Sequence, residues 1–151
     1  MLAEMTWPEV DEPIGRGAGV FLPVGATEQH GYHLPLATDV LLPTELALAV
    51  ADEHDFLVAP PVSYGYRSRP LSGGGQGSLM LHLRPDLVVF DRAVDDASRR
   101  HPWYDVVPPP EDFVPASGTL WKATQASGEK GRITWEEIVG QFRSAISMEF
   151  V

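Results

Sequence analysis

Apolar positions along this chain change their spacing at glycine and proline, and those changes divide it into elements. Trp7 and Pro8 open a short amphipathic segment that ends around the glycine-rich residues 15–19. "VFLPVG", residues 20–25, is a continuous apolar run of strand length, as expected of a strand buried on both faces of a parallel sheet. Pro23 cannot donate a ladder hydrogen bond, so it belongs near the end of that strand. Thr38 and Asp39 then stand where a helix N-cap belongs, and "VLLPTELALAVADEHD" follows with helical composition. Pro43 fits only the first turn of such a helix, which predicts a start near Val40 to Leu42, with Leu42, Leu46, Ala49 and Val50 as the apolar stripe. "FLVAPPV", residues 56–62, reads as a second strand stopped by Pro60-Pro61.

The order strand, loop, helix, strand predicts an α/β fold with a mostly parallel sheet flanked by helices. Ligands of such sheets bind beyond the carboxyl ends of the strands, which is where Glu28 and His30 fall. After the glycines at 73–75, Ser78 suits the cap of a short helix that stops before Pro85, with "LVVF" extended behind it. Residues 92–118 show little periodicity and read as irregular. "SGEKGRITWEEIVGQFRSAISMEF", residues 127–150, is the clearest helix, with Trp135, Ile138, Val139, Phe142, Ala145, Ile146 and Met148 mostly on one face. Burying Trp135 and Phe142 would contribute about 1.5–3 kcal/mol each.

A length of 151 residues fits one domain, 1–151, with a sizeable core. No apolar run approaches the roughly 18 residues of a membrane helix, and "FLPVGA" lacks the basic flank of a secretory signal, so a cytoplasmic setting is expected. Zero cysteines exclude disulfides and thiolate metal sites, leaving histidine and carboxylates to hold any zinc. Eleven Lys and Arg against 21 Asp and Glu give a net charge of −10. That balance argues against nucleic acid and anionic membranes as partners and leaves small molecules and divalent cations.

Within twelve positions the chain places Glu28, His30, His33 and Asp39. Imidazoles and carboxylates together suit Zn²⁺ or Mn²⁺. Glu28 and His30, two apart, point the same way from an extended loop, and Asp39 could bridge two ions through its two oxygens. Such a pair polarises a carbonyl and brings the pKa of a shared water into the neutral range, which serves hydrolysis of an amide or cyclic amide. Plainer roles are open to the same residues: Glu28 and His30 as polar loop positions, Asp39 as an N-cap, His33 as a hydrogen-bonded neighbour of ligands. His54, His82 and His101 read as surface or packing residues, and the glycine run is no P-loop, because no Gly-Lys-Ser/Thr follows it.

The words "TWPE", "FLPVGATEQHGYHLPLATD", "PPVSYGYRSRPLSGGG", "GSLMLHLRPDLVVFDR" and "YDVVPPPEDFVPASGTLWKATQASGEKG" together resemble the creatininase family of creatinine amidohydrolases over nearly the whole chain. The resemblance implies a layered α/β domain that opens the cyclic amide of creatinine to creatine with a pair of divalent ions. It implies Glu28 as ligand of one ion, usually Mn, His30 as ligand of the other, usually Zn, and Asp39 as the bridge between them. Ser72 matches a substrate-touching position, and family members assemble as hexamers, so a homo-oligomer is implied.

The chain also departs from the family. A central block carrying a Gly-His-x-Glu-Asn segment, which gives each ion one further ligand, has no match, and neither have the pocket tryptophans or the proton-handling acidic residue. The sequence resembles a creatininase with an internal deletion: residues 1–76 form an N-terminal ligand-bearing segment, joined near Gln76-Gly77 to a C-terminal segment, residues 77–151. Missing central strands would leave sheet edges in need of cover. A second reading is therefore a catalytically impaired remnant that keeps only some of the metal site and acts, if at all, as a metal-binding or oligomer-packing subunit.

Overall fold

A computed structural model describes residues 1–52, 55–64, 74–96, 115–119 and 122–150. Their contacts form two compact units. The first comprises Met1–Thr27, Asp39–Tyr66 and Trp135–Val151, and the second Glu28–Thr38 and Arg67–Thr134.

The first unit opens with helix α1 (Trp7–Gly15), whose start is fixed by Thr6 donating both its N–H (2.7 Å) and its hydroxyl (2.6 Å) to the Glu9 carboxylate. Strand β1 (Val20–Phe21) runs parallel to β2 (Leu57–Val58), with Val20 opposite Leu57. Helix α2 (Thr38–Ala51) lies between them in sequence, so the expected βαβ order is present. Both strands are shorter than their apolar runs. Pro23 has no N–H, so the ladder breaks after Phe21 and resumes as a single Val24–Val62 bridge. Nor is β1 buried on both faces. Phe21 packs into the core, whereas Val20, Leu22 and Val24 are 47%, 57% and 59% exposed, because no described element covers their face.

The core on the covered face joins Val50 of α2 to Val139 and Ile146 of helix α4 (Gly128–Phe150), with Phe21, Phe56 and Trp135 against them. Phe21 and Phe56 stack with centroids 4.8 Å apart, and Phe150 meets the edge of Phe56 at 5.8 Å. Helix α2 has no exposed residue, so its apolar character extends beyond the expected stripe. It also begins earlier than expected, at Thr38, which places Pro43 sixth rather than in the first turn. On α4 the apolar face is only partly used: Val139 and Ile146 are buried, while Phe142 is 48% exposed and Ala145 and Met148 face solvent.

In the second unit, helix α3 (Gly74–Leu83) starts within the glycine run, earlier than Ser78 suggested. Ser78 is interior to α3, and its hydroxyl accepts the Ser127 N–H (3.2 Å) at the start of α4 instead of capping its own helix. The two helices approach closely because α4 offers Gly131 to the Ser78 carbonyl; a Cβ there would also lie 2.9 Å from His82 Cβ. Beyond Arg84, Pro85–Leu87 and Phe90–Arg92 form 3₁₀ turns, so "LVVF" is extended only at Val88. Val89 donates its N–H to the His33 carbonyl (2.9 Å). Among the described residues of 92–118, the one strand-like bridge joins Asp95 to Lys122.

Candidate metal centre

Glu28 to Asp39 is one continuous segment that leaves the end of β1 and turns into α2. Its start is fixed by the Thr27 hydroxyl donating to the Ser63 carbonyl (3.0 Å) and by Gly25 N–H donating to Val62 (3.0 Å). The segment then closes on itself. Glu28 N–H donates to the Leu36 carbonyl (3.0 Å), and fully buried Thr38 donates both its N–H (3.2 Å) and its hydroxyl (2.7 Å) to Pro35. Thr38 therefore does not cap α2 in the expected sense: its hydroxyl turns back to the loop. Gly31, with φ +77°, supplies the reversal that an ordinary residue would resist.

Within this fold-back, Glu28, His30 and Asp39 each present one ligand atom, and the three atoms lie within 4.8 Å of one another. Ligands around a single tetrahedral zinc at roughly 2.0–2.2 Å stand roughly 3.4 Å apart, so the cluster is close to ion-binding dimensions. His30 is 2% exposed, and its Nδ1 lies 2.9 Å from the Glu28 carbonyl oxygen. A carbonyl only accepts, so Nδ1 carries a proton, and Nε2 of the neutral ring is the nitrogen left to meet a metal. Asp39 sits in the first turn of α2, where the helix dipole favours a negative charge.

A cation fits this donor set on a further count. Glu28 Oε2 is buried with no hydrogen-bond partner among the described residues, and a buried carboxylate oxygen is costly unless a cation or a donor meets it. The α2 backbone is pinned from the strand side. Pro43 has no N–H to give the Asp39 carbonyl, and Gly25 comes up against that carbonyl, with an added Cβ only 2.8 Å from Val40 N. His33 is buried at 4% exposure, and burial first, then the neighbouring charge of His30, lowers its pKa below 6.5, so it is neutral at pH 7.

Ser72, Tyr66, His54 and His101 lie outside the described residues. Tyr64 is 90% exposed, and His82 is half-buried against Gly131. Two neighbours of the segment were not singled out from sequence. Thr119 Oγ1 stands 2.7 Å from where a Gly31 Cβ would be, and Gln29 packs over Gly118. Gly118 and Thr119 belong to a distant, aperiodic stretch with no local signal of the contact.

The creatininase family, described as creatinine amidohydrolase, matches residues 3–77 and 72–146 of this chain. The creatinine amidohydrolase of Pseudomonas putida is 28% identical over 251 aligned residues, spanning 99% of this chain and 96% of that protein. A solved mutant creatininase of Zn-Zn type superposes with a TM-score of 0.90 at 26% identity, covering 98% of this chain and 97% of that one. A creatininase solved with Mn gives 0.88 at 27% identity, again over 98% and 97%. The fold is thus α/β and creatininase-like, with a small parallel sheet. This chain belongs to the creatininase family of amidohydrolases.

Proposed function

We propose that the chain is a metal-dependent hydrolase of a cyclic amide, opening creatinine to creatine, with Glu28, His30 and Asp39 as its metal ligands. The observation that carries this reading is the convergence of those three ligand atoms within 4.8 Å. Following the resemblance, Glu28 would hold Mn, His30 would hold Zn, Asp39 would serve both ions, and Ser72 would contact the substrate. When bound, such ions polarise the amide carbonyl and lower the pKa of a water towards neutrality. The chain's own contribution is electrostatic and positional. The two carboxylates supply negative charge, the Glu28 carbonyl orients the His30 ring, and the Gly25 contact sets where Asp39 stands. A cytoplasmic setting belongs to the same proposal.

One observation favours a second reading. The alignment to the Pseudomonas putida enzyme runs over 251 positions although this chain has 151 residues, and the family matches in two pieces that overlap at 72–77. Both support a junction near Gln76-Gly77 between an N-terminal segment, residues 1–76, and a C-terminal segment, residues 77–151, with the block that brings further ligands lost. Two protein ligands per ion, one of them shared, are fewer than the three of an ordinary catalytic zinc. Weak metal binding without turnover, in a chain that packs as a subunit, is then the outcome.

Metal content by plasma mass spectrometry, wild type beside Asp39→Ala, together with creatine release from creatinine with added Mn²⁺ and Zn²⁺, separates these readings. Metal in the wild type alone, with turnover lost in Glu28→Gln, supports the hydrolase. The same metal difference without turnover supports the impaired subunit. Equal metal in both proteins overturns the ligand assignment.

A further inference from the structure

Two buried side chains of the second unit, His33 and Thr119, carry polar atoms that meet no hydrogen-bond partner among the described residues. The atoms are His33 Nδ1 and Thr119 Oγ1, on residues only 4% and 3% exposed. A Cβ added at Gly31 would lie 2.7 Å from the hydroxyl oxygen and 3.1 Å from the ring nitrogen. Both atoms therefore border one spot beside Gly31, where a hydrogen stands in place of a side chain. They are at most about 5.8 Å apart, within reach of one molecule making two hydrogen bonds of about 2.8 Å. They do not bond to each other.

Both groups are held in place from behind. Buried Ser117 donates its hydroxyl to Asp96 (2.6 Å) and accepts the Thr119 N–H (3.2 Å) on the same oxygen. Gly118, at φ +70°, makes the turn between Ser117 and Thr119. The His33 carbonyl accepts the Val89 N–H (2.9 Å), and Nε2 stands 3.5 Å from where a Gly77 Cβ would be. The imidazole is thus set between two glycines, with Nδ1 on the Gly31 side.

We propose that His33 Nδ1 and Thr119 Oγ1 share one buried water, which ties the ligand-bearing loop to the 117–119 turn. The class of ligand follows from its partners. A neutral imidazole offers either a proton or a lone pair at Nδ1, a hydroxyl offers both, and water answers either. An ion would be buried against two uncharged groups, at a desolvation cost that neither repays. Two enclosed polar atoms left unmet would weigh against the fold, and two partners are enough to hold an internal water. His33 and Thr119 then act as positioning residues for His30, which lies on the same loop. That last step rests on the reading of His30 as a metal ligand, whereas the water does not.

A crystal structure of the wild-type protein should show one water within hydrogen-bonding distance of both atoms. Thr119→Val, which keeps the shape of the side chain and removes its hydroxyl, should lose that water, and Thr119→Ser should keep it. In solution, water magnetic relaxation dispersion should count one fewer long-lived water in Thr119→Val than in wild type or Thr119→Ser. Zinc retention should fall several-fold in Thr119→Val and return in Thr119→Ser. Direct contact of Oγ1 with Nδ1, a protein group in the water's place, or an unchanged water in Thr119→Val would overturn the proposal. Zinc retention equal in all three proteins would overturn the positioning role. A wild type that shows the water but takes up no zinc would support the water site and count against the ligand assignment instead.

Discussion

A methyl group added at Gly25 runs into the Asp39 carbonyl, because β1 ends against the first turn of α2 and only hydrogen fits between them. Gly25→Ala should therefore cost about 1–3 kcal/mol, the usual range for overpacking, read from urea midpoints, and should weaken metal retention by moving Asp39. His33 gives a second expectation. Its pKa is lowered in the folded chain, by burial first, so its contribution to stability is fully present above the unfolded value of 6.5 and is lost as pH falls through the lower folded value. Urea midpoints should be level above about pH 7 and fall on acidification, and His33→Gln should flatten that fall. Glu28, His30 and Asp39 were legible as candidates because their side chains are rarely packed so densely after an apolar run. Gly25 was not, since its importance lies in an atom it lacks.

At the scale of elements, α4 was readable throughout because its length lets helical periodicity accumulate over many turns. The strands were readable in place and order but not in length. One missing N–H at Pro23 ends a ladder that apolar content alone would continue. Ser78 shows why caps are harder to read: the sequence marks a hydroxyl near a helix start without saying which helix it serves. Its Oγ accepts from Ser127 at the start of α4, so Ser78→Ala should lower stability by about 0.5–2 kcal/mol, seen as a shift of the urea midpoint with little change in helix content. Met80, fully buried on α3, should cost more: about 2–5 kcal/mol on Met80→Ala by the same measurement.

For the molecule as a whole, a charge of −10 on 151 residues makes self-repulsion a measurable share of the energy balance. Raising sodium chloride from about 0.01 to 0.15 M shortens the screening length from roughly 30 to 8 Å. The thermal midpoint should rise accordingly. The fold class was legible from the alternation of strand and helix. The contacts of residues 29–32 with 116–119 were not, because aperiodic segments carry no sign of what they will pack against. One consequence follows from how the chain is threaded. Each compact unit is assembled from separate stretches, and the backbone passes between them at 27, 38, 66 and 134. No single cleavage or stop codon can release either unit intact, so expressing the two as separate fragments should yield unfolded polypeptide that recovers structure only when the pieces are mixed.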